Sequence, residues 1–429
     1  MRRLSILILS LAVAACSAQA EEPRAFTGAK IYPVAGDPID EGVLLLDGDT
    51  IVDVGNVDEV TIPDDAEIID VTGKVLIPGL VDTHSHIAGV DGGDASAALH
   101  PGARALDSVD VRSDSVRRAW AGGITTANIL PGSGHLMSGQ TLYSKLRPDA
   151  RKVDDWLFCD DPVNDVCGGM KMANGTNPIR DNQPFPQTRA RAAEQVRSLF
   201  AEAQAYAERR EGDDPPPRDL AQEAVLQILD GERTVHFHTH RHDDILTALR
   251  LGEEFGFTPV LHHVSEGWKV PEEIAEAGAP ASIIMIDSPG GKLEAVNLLW
   301  DNAPALEQAG VDTSIHTDDL VTDSRLFLRS AALGVRAGMS EEAALEALTL
   351  AGARQMGLED RLGSLEPGKD ADFVVLDGPP LSTFSRVMET WVEGERAFDR
   401  DNPDQREWAT GGTGVYGRGH GVHSHGDGS

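Results

Sequence analysis

The chain has 429 residues, 41% of them apolar, and a formal net charge of −33 at pH 7. That length can hold one large domain and a smaller one, and the apolar share is ordinary for a globular enzyme. So acidic a surface argues against nucleic acid, which needs basic surface, and against charge-driven attachment to anionic lipid; it keeps a protein soluble and can favour cationic substrates or metal uptake.

Residues 1–20 read as a targeting segment. Arg2 and Arg3 give a basic start, Leu4 to Ala15 is an apolar stretch too short to span a bilayer, and Ala18-Gln19-Ala20 is a small-X-small cleavage site. Val13-Ala14-Ala15-Cys16 also resembles a lipobox, in which Cys16 would carry the lipid. Either reading exports the chain, to the periplasm or to a lipid anchor on an envelope membrane. Cys159 and Cys167 remain in the mature part; in an oxidising compartment they can pair, and two free thiols are the alternative.

Short strand-like runs between Gly/Asp turns fill Phe26 to Val71, and similar runs return at Ala371–Asp377 and Val387–Glu395. A small β-sandwich domain is therefore expected from both chain ends, 24–77 plus 361–400, with residues 78–360 between. The middle alternates strands and helices: Ile124–Leu130, Thr234–His238, Thr258–His263, Ala281–Ile286 and Asp312–His316 read as strands, and Asp243–Phe255, Pro271–Ala277 and Leu293–Gly310 as helices. A spacing of about 25–30 residues between later strands is one βα unit, which predicts an α/β fold with a parallel barrel. Residues 187–228 read as a helical insertion broken at 212–217, and Met339–Gly357 as a late helix pair. Residues 401–429 read as a Gly/His-rich tail, disordered or a weak metal trap through His420, His423 and His425.

The chemistry-bearing residues cluster at strand ends. Val75–Val81 runs into His84-Ser85-His86, and residues i and i+2 of a strand share a side, so two imidazoles can grip one ion. The pattern recurs at His236-Phe237-His238-Thr239-His240, at His262-His263, and at His316-Thr317-Asp318. Barrel active sites sit at the C-terminal ends of strands, where each of these clusters falls. Neutral imidazole is a good ligand for zinc-type ions.

Two segments carry a family resemblance: Gly73 to His86, and Gly363-Ser364-Leu365-Glu366-Pro367-Gly368-Lys369-Asp370-Ala371-Asp372. Both resemble the amidohydrolase superfamily, nearest its imidazolonepropionase-like branch, which also contains dipeptidases. The resemblance implies a (β/α)8 TIM-like barrel with the small composite β-sandwich. It implies His84, His86, His238 and His263 as metal ligands, and Asp318 as both ligand and proton acceptor. Lys171 would be a carboxylated bridging ligand between two ions, with Lys145 the other middle-strand option; without such a lysine one ion is expected. Only one of His262 and His263 is expected to face the barrel axis, and the motif favours His263. His236 reads as a core residue and His316 as orienting the site. His240, Arg180 and Arg241 are candidate substrate contacts, and His135 a loop or substrate contact.

The function so implied is hydrolysis of an amide or peptide-like C–N bond in a small molecule (a dipeptide, N-acyl amino acid or cyclic amide) by water activated on zinc or a similar ion. A deaminase or cyclic-amidine hydrolase on the same site, and a non-catalytic periplasmic metal-binding protein, are the alternatives. Partners are expected to be the substrate and a possible second copy of the chain, with membrane contact only through Cys16.

Overall fold

The computed structural model describes residues 22–90, 92–286, 292–319 and 321–411. The expected leader with Cys16, and the tail histidines His420, His423 and His425, lie outside the described residues.

The two ends of the chain meet in one eight-stranded sheet. Arg24–Ile31, Ile39–Asp47, Thr50–Asn56, Glu67–Asp70 and Val75–Pro78 supply five strands, and Phe373–Leu376, Val387–Val392 and Glu395–Asp399 supply three. The seam is antiparallel, with Pro78 opposite Phe373 and Val75 opposite Leu376. Phe26, Phe373 and Trp391 fill its core, their ring centroids 4.9–5.5 Å apart. Hydrogen bonding links these strands into one continuous sheet. Register shifts at Thr27/Ala29 and Ala29/Ile31 let the first strand pair with three others.

Between these ends the fold is mixed α/β. Five strands, Met170–Ala173, Val235–Thr239, Val260–His263, Ala281–Ile284 and Thr313–His316, pair in parallel in chain order. A second sheet pairs Leu80–Ser85 in parallel with Ile124–Ile129. These strands are buried throughout, which suits parallel strands covered on both faces. The sheets approach where Asp318 N–H donates to His84 O at 2.9 Å and the Thr83 hydroxyl meets those of Ser282 (2.6 Å) and Ser314 (3.2 Å).

The all-parallel expectation fails at one place. Met137–Gln140 and Leu142–Lys145, consecutive in the chain, run antiparallel to Met170–Ala173 and Ile124–Ile129 respectively. The cause is the link after Ile129, which reaches Met137 without a helix; a parallel return needs a crossover of roughly a dozen residues or more.

The helical insertion is present as Arg189–Arg210, capped by Thr188, and Leu220–Leu229, capped by Asp219. The single helix expected over Leu293–Gly310 is instead a short turn, Leu293–Ala295, and a helix, Asn302–Gln308. Pro304, which has no N–H and clashes with the carbonyl four residues before it, holds the helix to a start at Asn302, whose side chain donates to Val264 O and accepts from Trp268 N–H. The tail boundary at 401 also needs correcting. Pro403–Thr410 is a helix, started by Asn402 and by a proline in its first turn, and Trp408 packs against Trp120 and Phe398. Cys159 and Cys167 are joined as a disulfide.

Candidate metal centre

Each strand end delivers its side chain to one place. His84 is fully buried, and His86, one residue past its strand, is partly open. His86 Nδ1 lies 2.7 Å from the Leu130 carbonyl oxygen, which can only accept, so Nδ1 carries the proton and Nε2 is left with its lone pair. That Nε2 faces Asp318 Oδ1 at 3.1 Å. Two electron-rich atoms at this distance require a positive charge between or upon them. Asp318 also approaches His84 Nε2 (3.6 Å) and His263 Nδ1 (3.8 Å). Burial opposes its charge, but the polar groups around it, His86 first and then His316 and Lys171, hold its carboxyl below the usual range.

Lys171 is fully buried, and its Nζ lies 3.2 Å from His84 Nε2. Burial pushes it down to about 7, so near neutral pH a substantial part of it is uncharged amine. Lys145, the other candidate, is elsewhere. Its ammonium is locked between Asp370 (2.8 Å) and Asp372 (2.5 Å), in the segment that returns to the small sheet.

The expectation that only one of His262 and His263 faces the axis is overturned. His262 follows the strand alternation and points inward. His263 has φ +68°, followed by Val264 at +50°, and this left-handed kink turns the second imidazole inward as well. His263 Nδ1 lies 3.0 Å from His316 Nε2, and its ring centroid is 4.5 Å from that of His238 and 4.7 Å from that of His84. His316 Nδ1 meets Ser282 Oγ at 2.7 Å.

His262 belongs to a chain of hydrogen bonds behind the centre. His84 Nδ1 to His262 Nδ1 is 3.0 Å, His262 Nε2 to His236 Nδ1 is 2.9 Å, and His236 Nε2 to Tyr143 Oη is 2.8 Å. With the His84 Nε2 lone pair turned to a cation, each link has one direction. His84 donates to His262, His262 to His236, and His236 to the tyrosine oxygen. His236 is thus a core residue with a defined partner on each nitrogen.

Burial keeps the imidazoles neutral. It pushes His236, His240 and His316 down to about 3, and holds His84, His238, His262 and His263 well below the ordinary histidine range. Among the described residues, both nitrogens of His238, Nε2 of His240 and Nε2 of His263 are buried without a hydrogen-bond partner. Buried polar atoms of this kind are costly to leave unmatched. Among the described residues, three groups could hold an ion: His84, His86 and Asp318; His84, His263 and His316; and His238, His240 and Glu294, each with ligand atoms within 4.8 Å of one another. A neutral-imidazole and carboxylate set with orphaned lone pairs fits a divalent cation.

The arginines suggested by the sequence are already engaged. Arg241 makes a two-pronged pair with Asp243 (2.9 and 2.8 Å), and Arg180 donates to Gly134 O at 2.8 Å while lying 3.8 Å over the Phe185 ring. His240 bonds Ser265 Oγ through Nδ1 at 2.7 Å and joins the cluster. His135 is buried beside Phe185 and Arg180, away from the ion-holding groups.

Several residues at the site carried no assigned role in the sequence reading. Asp82 is one, and strand alternation could have shown it, because it stands two before His84. Glu294 and Lys292 are others; they come from an irregular loop, and no periodicity flags them.

The pattern of the Amidohydrolase family matches residues 75–402. The solved amidohydrolase of Thermotoga maritima MSB8 is 34% identical, superposes with a TM-score of 0.81, and covers 88% of this chain and 100% of its own. The amidohydrolase tasK of Hapsidospora irregularis is 29% identical over 393 residues, which is 82% of this chain but 40% of that relative's length. The imidazolonepropionase of Shouchella clausii is 25% identical over 415 residues, 85% of this chain and 87% of its own. The chain belongs to the amidohydrolase family, whose chemistry is the hydrolysis of carbon–nitrogen bonds.

Proposed function

We propose that this chain is an exported, metal-dependent hydrolase of an amide or peptide-like C–N bond in a small molecule. The observation that carries the reading is the convergence of His84, His86, His238, His263, Lys171 and Asp318, with lone pairs left unmatched, at the C-terminal ends of parallel strands. We read the two inner sheets as one closed eight-membered barrel with a single reversed strand, and the eight-stranded sheet as its companion domain.

In this reading His84, His86 and Asp318 would hold one ion and His238 and His263 a second, with Lys171 between them as its carbamate. A bound zinc or similar ion supplies a Lewis acid toward the scissile carbonyl and makes the attacking water more acidic. The chain's own residues do the rest. Asp318, kept ionised, takes the water proton at its carboxylate and returns it to the leaving nitrogen. His86, fixed by Leu130 O, and His84, fixed by His262, keep their lone pairs aimed at the centre. The leader-like sequence of residues 1–20 is what the export reading rests on, and the Cys159–Cys167 bond suits an oxidising compartment.

The test is metal analysis followed by a substrate panel. Purified, unchelated protein is expected to hold one to two equivalents of zinc or a similar ion. It should then hydrolyse a member of a panel of dipeptides, N-acyl amino acids and cyclic amides. A folded sample without metal sinks the reading. Release of ammonia from aminopurines or cyclic amidines alone would move it to a deaminase.

A further inference from the structure

Glu294 stands on the loop after Ala281–Ile284 and reaches back over the strand ends. It is 6% exposed. Its Oε2 accepts the Thr176 N–H at 2.7 Å, an approach allowed by Gly175, where φ is +74° and a Cβ would stand 2.6 Å from that oxygen. Its Oε1 is buried and, among the described residues, has no partner. Lys292, two residues earlier, feels its charge but closes no ion pair with it. A buried carboxylate oxygen of this kind calls for a positively charged donor.

Its neighbours narrow the choice. Ligand atoms of Glu294, His238 and His240 lie within 4.8 Å of one another. His240 Nδ1 lies 2.7 Å from Ser265 Oγ; with the serine hydroxyl as acceptor, its Nε2, unpartnered among the described residues, is left to accept. In the reading above His238 serves the hydrolytic centre. That leaves one carboxylate and one imidazole, too few protein ligands for a separate metal but sufficient for an ammonium. Acceptors arranged about a protonated amine at charge-assisted hydrogen-bond length stand about 4.6 Å apart.

We propose that Glu294 and His240 form a seat for a protonated amine of the substrate, beside the hydrolytic centre. The inference rests on the hydrolase reading and narrows its substrate class to compounds with a free amine close to the scissile carbonyl, such as aminoacyl amides and unblocked dipeptides, against N-acylated ones. The chain's net charge of −33 favours the approach of such cations.

The test is calorimetry on the metal-loaded full chain with L-leucinamide and N-acetyl-L-leucinamide, probes that differ in the charged amine. Wild type is expected to bind leucinamide at least about 10-fold more tightly, the worth of one charge-assisted hydrogen bond. Glu294→Gln should remove that preference without changing metal content, and His240→Gln should reduce it, each confirmed as folded by its thermal melt. Equal or absent binding of the two probes by wild type overturns the seat, as does a preference that survives Glu294→Gln. Loss of a metal equivalent in Glu294→Gln would instead make the group a metal ligand and overturn it too. A kept amine preference with no hydrolysis across the panel would sink the hydrolase reading and leave the seat standing.

Discussion

Asp82 and Thr317 are joined twice: Thr317 Oγ1 donates to Asp82 Oδ2 at 2.5 Å, and Thr317 N–H donates to Asp82 Oδ1 at 3.0 Å. The pair ties the strand that carries His84 to the turn that carries Asp318. That turn is strained, with Asp318 at φ +48°, and the neighbouring Asp319 anchors it to Arg118 at 2.6 Å and to Ser324. Asp82 therefore sets the position of the proton acceptor without itself joining an ion-holding group.

Asp82→Asn, which keeps the shape and one acceptor, is expected to lower kcat about 10- to 100-fold with little change in KM, as for a supporting residue whose ligand loses its fixed position. Thr317→Val should do the same. A kcat equal to wild type in both variants would remove the clamp from the argument.

Asp318→Asn should keep most of the metal and lose hydrolysis by several orders of magnitude, because an amide cannot take the proton from water. Metal content and turnover measured on one preparation separate the two effects. Unchanged turnover would remove Asp318 as proton carrier.

The chain from His84 through His262 and His236 to Tyr143 predicts an effect at a distance. Tyr143→Phe and His236→Gln break it two or three links from the centre. Metal affinity, read by chelator competition, should weaken about 10-fold or more, with a stability cost of about 1 kcal/mol or more for the unmatched buried partner. An affinity that does not move would reduce the chain to packing.

Glu266 gives a pH prediction. It accepts from His242 Nδ1 (2.7 Å), His242 N–H (3.1 Å) and Asn297 Nδ2 (2.5 Å), and pairs with Lys269 at 2.8 Å. Burial opposes its charge, but these partners win and hold it down to about 2. A depressed carboxyl contributes stability above its unfolded value of roughly 4.3, and that stability fades as pH falls toward about 2. Glu266→Gln should cost roughly 1–3 kcal/mol at pH 7, and the gap from wild type in urea melts should close between about pH 4 and pH 2. A gap constant with pH would mean that shape, not charge, is at stake.

Lys145→Met leaves Asp372 buried without its cation and should destabilise by roughly 3–5 kcal/mol, read by urea denaturation. A loss below about 1 kcal/mol would place the carboxylates in water instead.

The histidine clusters were legible because strand alternation and apolar runs are local signals. His84, His86, His238 and Asp318 need only their own few residues to be found. His263 shows where such reading stops. Alternation allows one inward ring from adjacent residues, and a left-handed kink, invisible in a pattern of residue types, turns in the second. The reversed strands Met137–Gln140 and Leu142–Lys145 were missed for a similar reason, since their direction depends on a link length that composition does not weigh. Arg180 and Arg241 read as substrate contacts from their positions alone; Gly134, which engages Arg180, is tertiary, whereas Asp243, two residues after Arg241, lay in plain reach of a local reading. Glu294 was illegible because its meaning lies in a loop crossing another strand's end.

The seam between Val75–Pro78 and Phe373–Leu376 has a consequence for the making of the protein. The first of these strands leaves the ribosome roughly 300 residues before its partner exists, a wait of roughly 15–60 s at common translation speeds. Through that interval its Val-Leu-Ile-Pro edge stays unpaired and apolar, a template for the wrong neighbour. Yield during expression should accordingly depend on chaperones that cover this edge until the last three strands arrive.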